Sequence, residues 1–162
     1  MISKGFDAGS GMLQWLMRTP VQTFVLCPLA VIAAELVLHG GTLVFVPWGC
    51  VLLAWGYLQY LLVGNYRLPL AGGGRGMEGP PDRIIATGPY QYTRNPMYLG
   101  HLIFMLGLAV TFSSWLAVAL LAFHAVWFHR RVLNDEAHLE ARFGEPYRAY
   151  KRDVKRWIPG LF

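Results

Sequence analysis

The chain has 162 residues, 55% of them hydrophobic and only 14% charged, with a mean hydropathy of +0.38. A soluble domain carries about 25% charged residues, so this chain has too little polar surface to cover a water-exposed globule of its size. Composition therefore excludes a disordered chain, a nucleic-acid-binding arm and a secreted disulfide scaffold. It points to one all-α domain in a membrane.

The formal net charge is +5, and its distribution matters more than its size. Two of the basic residues lie before residue 20 (Lys4, Arg18), four between 67 and 94 (Arg67, Arg75, Arg83, Arg94) and eight after 129. The gaps between these blocks are the apolar stretches. Anionic lipid headgroups on the cytoplasmic leaflet explain that pattern more simply than nucleic acid does.

In chain order, residues 1–11 are small and polar and lack the apolar segment of a signal peptide. Residues 12–18 (MLQWLMR) read as a short interfacial helix with Trp15 at headgroup level. Thr19-Pro20 predicts a helix start, Thr as N-cap and Pro in the first turn. Two spans follow, 21–38 and 44–63, joined by HGGT, and each approaches the ~20 residues that cross a bilayer. Glu35, the one acid in either span, reads as a neutral or outward-snorkelling carboxyl near the far end of its helix, within reach of His39 at i+4. An intramembrane carboxylate with a function is the competing reading. Cys27 and Cys50 fall at depths differing by roughly 10 Å, too far apart for a disulfide, so both read as inert thiols.

Residues 65–95 read as a long connector rich in helix breakers. Its GGGRG run only weakly resembles a phosphate loop, because no GK[ST] follows and no strand precedes it. Apolar segments 97–110 and 115–128 are short for full spans and predict either a tight hairpin or one bent helix. The hairpin puts all fourteen basic residues on one side, so the positive-inside rule selects it. Beyond Phe128 the chain turns polar and helical. A helix restarting at Pro146 would present Tyr147, Tyr150, Val154 and Trp157 to the cytoplasmic membrane surface. The expected organisation is a single membrane domain with four transmembrane helices. It comprises a cytoplasmic or interfacial N-terminus (1–20), two spans (21–63), a cytoplasmic loop (64–96), a hairpin (97–129) and cytoplasmic C-terminal helices (130–162).

One constellation can carry chemistry. Asn95-Pro96 predicts an N-cap and first helical position, and Arg94 stands beside that helix end, so the two form an anion site. Tyr98 and His101 follow Arg94 at helical spacing. Gly100 and Gly107 share a stripe where a backbone or a ligand could approach closely. On the next helix, at 100° per residue, His124, Arg131, Asp135, His138 and Arg142 fall within about 40° of one direction, whereas Glu136 points about 120° away. His124 and His129 are five apart and lack the spacing of metal ligands on one helix face. No metal is expected.

At these residues the chain resembles a known family. GPYQYTRNPMYLG (residues 88–100), a hairpin, and then DEAHLEARFGEPYRAYKRDVKRWIP (135–159) are similar to the isoprenylcysteine carboxyl methyltransferase and phospholipid methyltransferase superfamily, over roughly the last 75 residues. Asn95 stands where that pattern usually has His, and Asp135 where it has the first of two Glu. The resemblance implies an S-adenosyl-L-methionine site between the hairpin and the C-terminal helix, facing the cytoplasm, with a lipophilic acceptor entering from the bilayer. The cofactor residues it points to are Tyr90, Arg94, Asn95, Pro96, Tyr98, Leu99, Gly100, His101, His124 and Glu136, with Arg131, Asp135 and Glu136 at the reacting centre. The cofactor's carboxylate suits Arg94 and the helix N-terminus, and its cationic groups suit Asp135, Glu136 and tyrosine faces. The polar stripe favours Asp135 for this work and the family pattern favours Glu136. Two alternatives stay open: an NADPH-dependent sterol or steroid reductase, which shares a similar C-terminal pattern, and a small membrane protein without enzymatic activity.

Overall fold

A computed structural model describes residues 14–71 and 83–158. The GGGRG run, the start of the interfacial helix and Pro159 lie outside the described residues. Among the described residues, a helical turn at 14–16 precedes five helices, α1 (Thr19–Leu38), α2 (Gly49–Ala71), α3 (Pro96–Phe112), α4 (Trp115–Phe143) and α5 (Glu145–Asp153), joined by loops and a 3₁₀ turn, Gly88–Gln91. No strand occurs among the described residues.

Helix α1 begins one residue earlier than expected. Arg18 is its N-cap and no side chain caps it, so Thr19 lies inside the first turn rather than before it. The turn Gln22–Leu26 is a π-helix. Its cause is Pro28, which lacks an N–H and would press on the carbonyl four residues back, so the helix widens just ahead of it. At the far end Glu35 does not snorkel outward. It is buried, with His39 Nδ1 3.1 Å from its Oε2.

Helix α2 departs from expectation at both ends. It starts at Gly49 rather than 44, because residues 42–46 are irregular up to the turn at Pro47, with Val46 N–H donating to the Thr111 carbonyl at 2.7 Å. It then runs on to Ala71, converting residues 65–71 from expected loop into helix. The breakers that end it cluster from Gly72 onward, and the single Gly64 does not stop a helix.

α2 and α3 pack antiparallel at close range. A Cβ on Gly56 would come 2.7 Å from the Gly100 carbonyl oxygen, and one on Gly100 would come 2.9 Å from the Gly56 carbonyl oxygen. Small residues at this crossing let the two backbones touch. α3 turns into α4 through Ser113 in the left-handed conformation (φ 50°) and Ser114, whose Oγ accepts the Ala117 N–H at 3.2 Å. The result is a tight hairpin, with Tyr98 at the start of α3 reaching Asp135 late in α4. Cys27, Val31, Met105, Leu108, Ala109 and Ala117 form the core between α1 and the hairpin.

α1 and α4 are each long and apolar enough to cross a membrane, whereas α3 is apolar but only 17 residues long. Val25, Leu29, Val37, Val51, Trp55, Leu62, Phe123 and Val126 are exposed on the helix surfaces, an exterior suited to hydrocarbon rather than water.

α4 is one continuous helix of 29 residues, roughly 43 Å long at 1.5 Å per residue. It overhangs α3, and the overhang carries the polar stripe. α5 ends at Asp153, so Val154 and Trp157 do not share a helix with Tyr147 and Tyr150 as the spacing suggested. Instead residues 154–158 form a strap across residues 93–95. Arg94 N–H donates to the Lys155 carbonyl at 3.0 Å, and Thr93 Oγ1 and Asn95 Nδ2 donate to the Arg156 carbonyl at 3.0 and 3.1 Å. The Trp157 indole N–H donates to His129 Nδ1 at 3.2 Å. Tyr147 is buried against the bundle, so the apolar face of α5 turns inward rather than onto a membrane surface.

Candidate active site

The end of α2, the start of α3, the overhang of α4 and α5 converge on a cavity of about 320 Å³. That lies at the lower end of the range for small-molecule sites, about 300–1,000 Å³. Of the residues expected at a site, Tyr90, Arg94, Asn95, Pro96, Tyr98, Arg131 and Asp135 line it. Arg67, Ile84, Ile85, Tyr147 and Tyr150 also line it, although spacing alone gave them no such role. Arg67 was hidden in the stretch read as loop. The two tyrosines had a signal, since they sit at the YxxY spacing of the C-terminal pattern.

Arg94 is held in place by its surroundings. Its Nη2 lies 3.2 Å from Glu136 Oε1 and its Nη1 donates to the Lys151 carbonyl at 3.3 Å. Its Nε is buried and has no partner among the described residues. Beside it, the first turn of α3 has free N–H groups, because Asn95 is the N-cap residue but makes no side-chain capping bond. The Asn95 amide instead ties down the strap. A buried, pre-oriented guanidinium donor next to an uncapped helix N-terminus can bind an anion.

The two acids of α4 have different surroundings. Asp135 stands in the cavity wall, exposed, and accepts the Tyr98 hydroxyl at 3.3 Å. Glu136 is buried behind the wall. Arg156 grips it with two bonds, at 3.1 and 2.8 Å, and Arg94 approaches from the other side. Glu136 thus holds the strap and Arg94 in place and does not itself face the cavity.

Leu99, Gly100, His101 and His124 also stand outside the cavity wall. Gly100 is occupied by the backbone of α2. His101 is fully buried, stacked on Phe24 with ring centroids 4.7 Å apart and edge-on to Tyr60 at 4.9 Å. His124 Nδ1 bonds the Leu120 carbonyl of its own helix at 2.8 Å. The physical reason is Phe128. Fully buried, it lies 4.9 Å from Tyr98, 5.6 Å from His101 and 5.7 Å from His124 between ring centroids, and it separates both histidines from the polar wall. Helical angle alone cannot reveal a side chain inserted between two levels of one stripe.

The tyrosines contribute neutral faces and hydroxyls. Burial pushes the Tyr90 phenol up to about 12, with Arg67 opposing, and burial raises Tyr147 and Tyr150 as well. The Tyr150 hydroxyl donates to the Tyr90 carbonyl at 2.7 Å, tying α5 to the 3₁₀ turn. The arrangement can therefore hold a ligand with an anionic end at Arg94, a cationic end at Asp135 and a flat or apolar body between aromatic faces.

Comparison with known proteins coincides with this region. Residues 73–146 match the model of the phospholipid methyltransferase family. A protein-S-isoprenylcysteine O-methyltransferase of Schizosaccharomyces pombe is 31% identical over 78 residues, covering 47% of this chain and 33% of that protein. One of Dictyostelium discoideum is 33% identical over 88 residues, covering 52% and 36% respectively. An uncharacterized protein of Haemophilus influenzae is 33% identical over 63 residues, all of its own length and 38% of this chain. The chain matches about a third of the length of the two named relatives. The cavity's walls are drawn largely from the matched segment, and over that segment the chain is similar to the phospholipid methyltransferase family and to protein-S-isoprenylcysteine O-methyltransferases.

Proposed function

We propose that the protein is an integral membrane methyltransferase that uses S-adenosylmethionine to methylate a lipophilic acceptor entering from the bilayer. One observation carries the reading: within the family-matched segment, a single cavity joins the buried, unpartnered Nε of Arg94 to the carboxylate of Asp135. These residues suit the cofactor's own charges, an anionic carboxylate beside an ammonium and a sulfonium. When bound, that group supplies an electrophilic methyl.

The chain's residues then do three things. Arg94 and the α3 N-terminus bind the carboxylate. Asp135 and the tyrosine faces bind the cationic side. Arg131, one helical turn nearer the bilayer than Asp135, orients the acceptor. Methyl transfer is an in-line displacement, so alignment and exclusion of water are the protein's main contributions. Phe128 beneath the polar wall and the strap across residues 93–95 serve that exclusion.

The same reading gives the topology: four crossings by α1 to α4, with both termini and the cavity facing the cytoplasm. Its support is the charge pattern, since all fourteen basic residues then share one side. The test is to incubate the purified protein with labelled S-adenosylmethionine and lipid extract and identify labelled products by mass spectrometry. Arg131→Gln is expected to leave S-adenosylhomocysteine affinity within about threefold yet lower turnover at least about tenfold, about 1.4 kcal/mol on the barrier. Loss of cofactor binding in folded Arg131→Gln would contradict its assignment.

A further inference from the structure

Gln59 carries the one side-chain amide in the apolar stretch 44–63. A polar group there needs a protein partner, because hydrocarbon offers none. Gln59 finds it across the helix pair: its Nε2 donates to the carbonyl of Pro96, the first residue of α3, at 2.9 Å. Side-chain amides commonly join membrane helices. Here, however, the backbones of α2 and α3 already touch at Gly56 and Gly100, so the pair does not need Gln59 to come together.

What sets this bond apart is its acceptor. Pro96 and Met97 both line the cavity, and the Pro96 carbonyl and the Met97 N–H belong to one peptide unit. That unit is trans, so the two groups point in opposite directions. Helical N–H groups point toward the N-terminus, which turns the Met97 N–H to the end of α3 where Arg94 stands. The helix has no acceptor for this N–H or for that of Tyr98, and the Asn95 side chain does not cap them. The Leu99 N–H is already taken by the Asn95 carbonyl, at 3.0 Å. The Pro96 carbonyl has two lone pairs and can accept Gln59 as well as the N–H four residues on. A peptide held twice at its carbonyl is fixed in its plane and polarised, and its N–H becomes a stronger donor. We propose that Gln59 is a positioning residue: by holding the Pro96 carbonyl it orients and strengthens the Met97 N–H, which, with the buried Nε of Arg94, takes the carboxylate of the cofactor. The inference rests on the methyltransferase reading. Gln59 itself stands outside the cavity wall and acts only through the peptide it holds.

The test uses the full chain in detergent and two ligands that differ in one group. These are S-adenosylhomocysteine and its decarboxylated analogue, which keeps the amine, the thioether and the nucleoside. Calorimetry is expected to show the wild type preferring the carboxylate-bearing ligand at least about tenfold. Gln59→Met, close in length but without a donor, should narrow that preference about threefold or more. The loss should fall on S-adenosylhomocysteine, with the analogue's affinity within about twofold of wild type. Gln59→Leu should behave alike, and thermal unfolding shows whether each variant is folded. Equal weakening of both ligands would make the bond a helix–helix fastening and overturn the proposal, and failure of both variants to fold would mean the same. An unchanged preference in the variants overturns it too, as does a wild type that binds the two ligands equally. A wild type that binds neither ligand is a separate result and sinks the methyltransferase reading itself.

Discussion

Asp135 and Glu136 are neighbours in sequence with opposite surroundings, and the difference decides what each can do. Asp135 faces the cavity and accepts the Tyr98 hydroxyl, whereas Glu136 is buried between two arginines. Asp135→Asn is therefore expected to weaken S-adenosylhomocysteine binding by about 1.5–3 kcal/mol, the range for a hydrogen bond to a charged group, with little change in thermal stability. Glu136→Gln should do the reverse in kind. It leaves two guanidiniums without their carboxylate and should cost about 3–5 kcal/mol of stability, as when one partner of a buried pair is removed. Calorimetric binding and thermal unfolding, run on both variants, separate these outcomes. The polar-stripe reading identified Asp135, while the family pattern pointed to Glu136. A one-residue step on a helix turns a side chain by 100°, and the burial of Glu136 by Arg156 depends on a strap that no local pattern predicts.

At the scale of elements, the junction of α4 and α5 is an ionic clasp. Arg148 and Lys151 of α5 each bond Glu140 of α4 at 2.9 Å, and these bonds hold the Glu140 carboxyl below the usual carboxylate range. A carboxyl lowered in the folded state contributes stability that is present above its unfolded pKa and lost as pH falls through the folded value. Hydrogen exchange of α5 amides should therefore accelerate as pH drops below about 4, after correction for intrinsic exchange. Glu140→Gln should exchange faster at neutral pH and lose that acid dependence. The effect is small because the clasp is solvent-exposed. An unchanged acid profile in Glu140→Gln would show that another carboxyl governs the junction.

Element legibility follows the same physics. The apolar helices, the Ser113–Ser114 reversal and the restart near Pro146 were readable because apolar runs and prolines act locally. The extension of α2 to Ala71 was not, since residues 65–71 hold Pro69 directly before a glycine cluster and so read as loop, although the helix runs through that proline. That extension carries Arg67, so the missed element hid a cavity residue. The displacement of His124 from the cavity was equally illegible, because it depends on Phe128 packing against a different helix.

For the whole molecule, the account joins three independent lines: apolar exteriors on long helices, basic residues kept out of their apolar stretches, and one charged cavity drawn largely from the family-matched segment. Sidedness follows from the second of these. With Cys27 and Cys50 replaced by alanine, single cysteines at Arg83 and Asp153 should react with a membrane-impermeant maleimide from the cytoplasmic side only, and one at Thr42 from the opposite side only. Labelling of positions 83 and 153 from opposite faces would break the topology.

The central claim is that the cavity bounded by Arg94 and Asp135 is an S-adenosylmethionine site, and its most direct test is calorimetry on the purified, detergent-solubilised protein. The account predicts saturable, one-to-one binding of S-adenosylhomocysteine, weakened in Arg94→Ala, and no binding of NADPH. Saturable NADPH binding without S-adenosylhomocysteine binding would contradict it and make the protein a reductase.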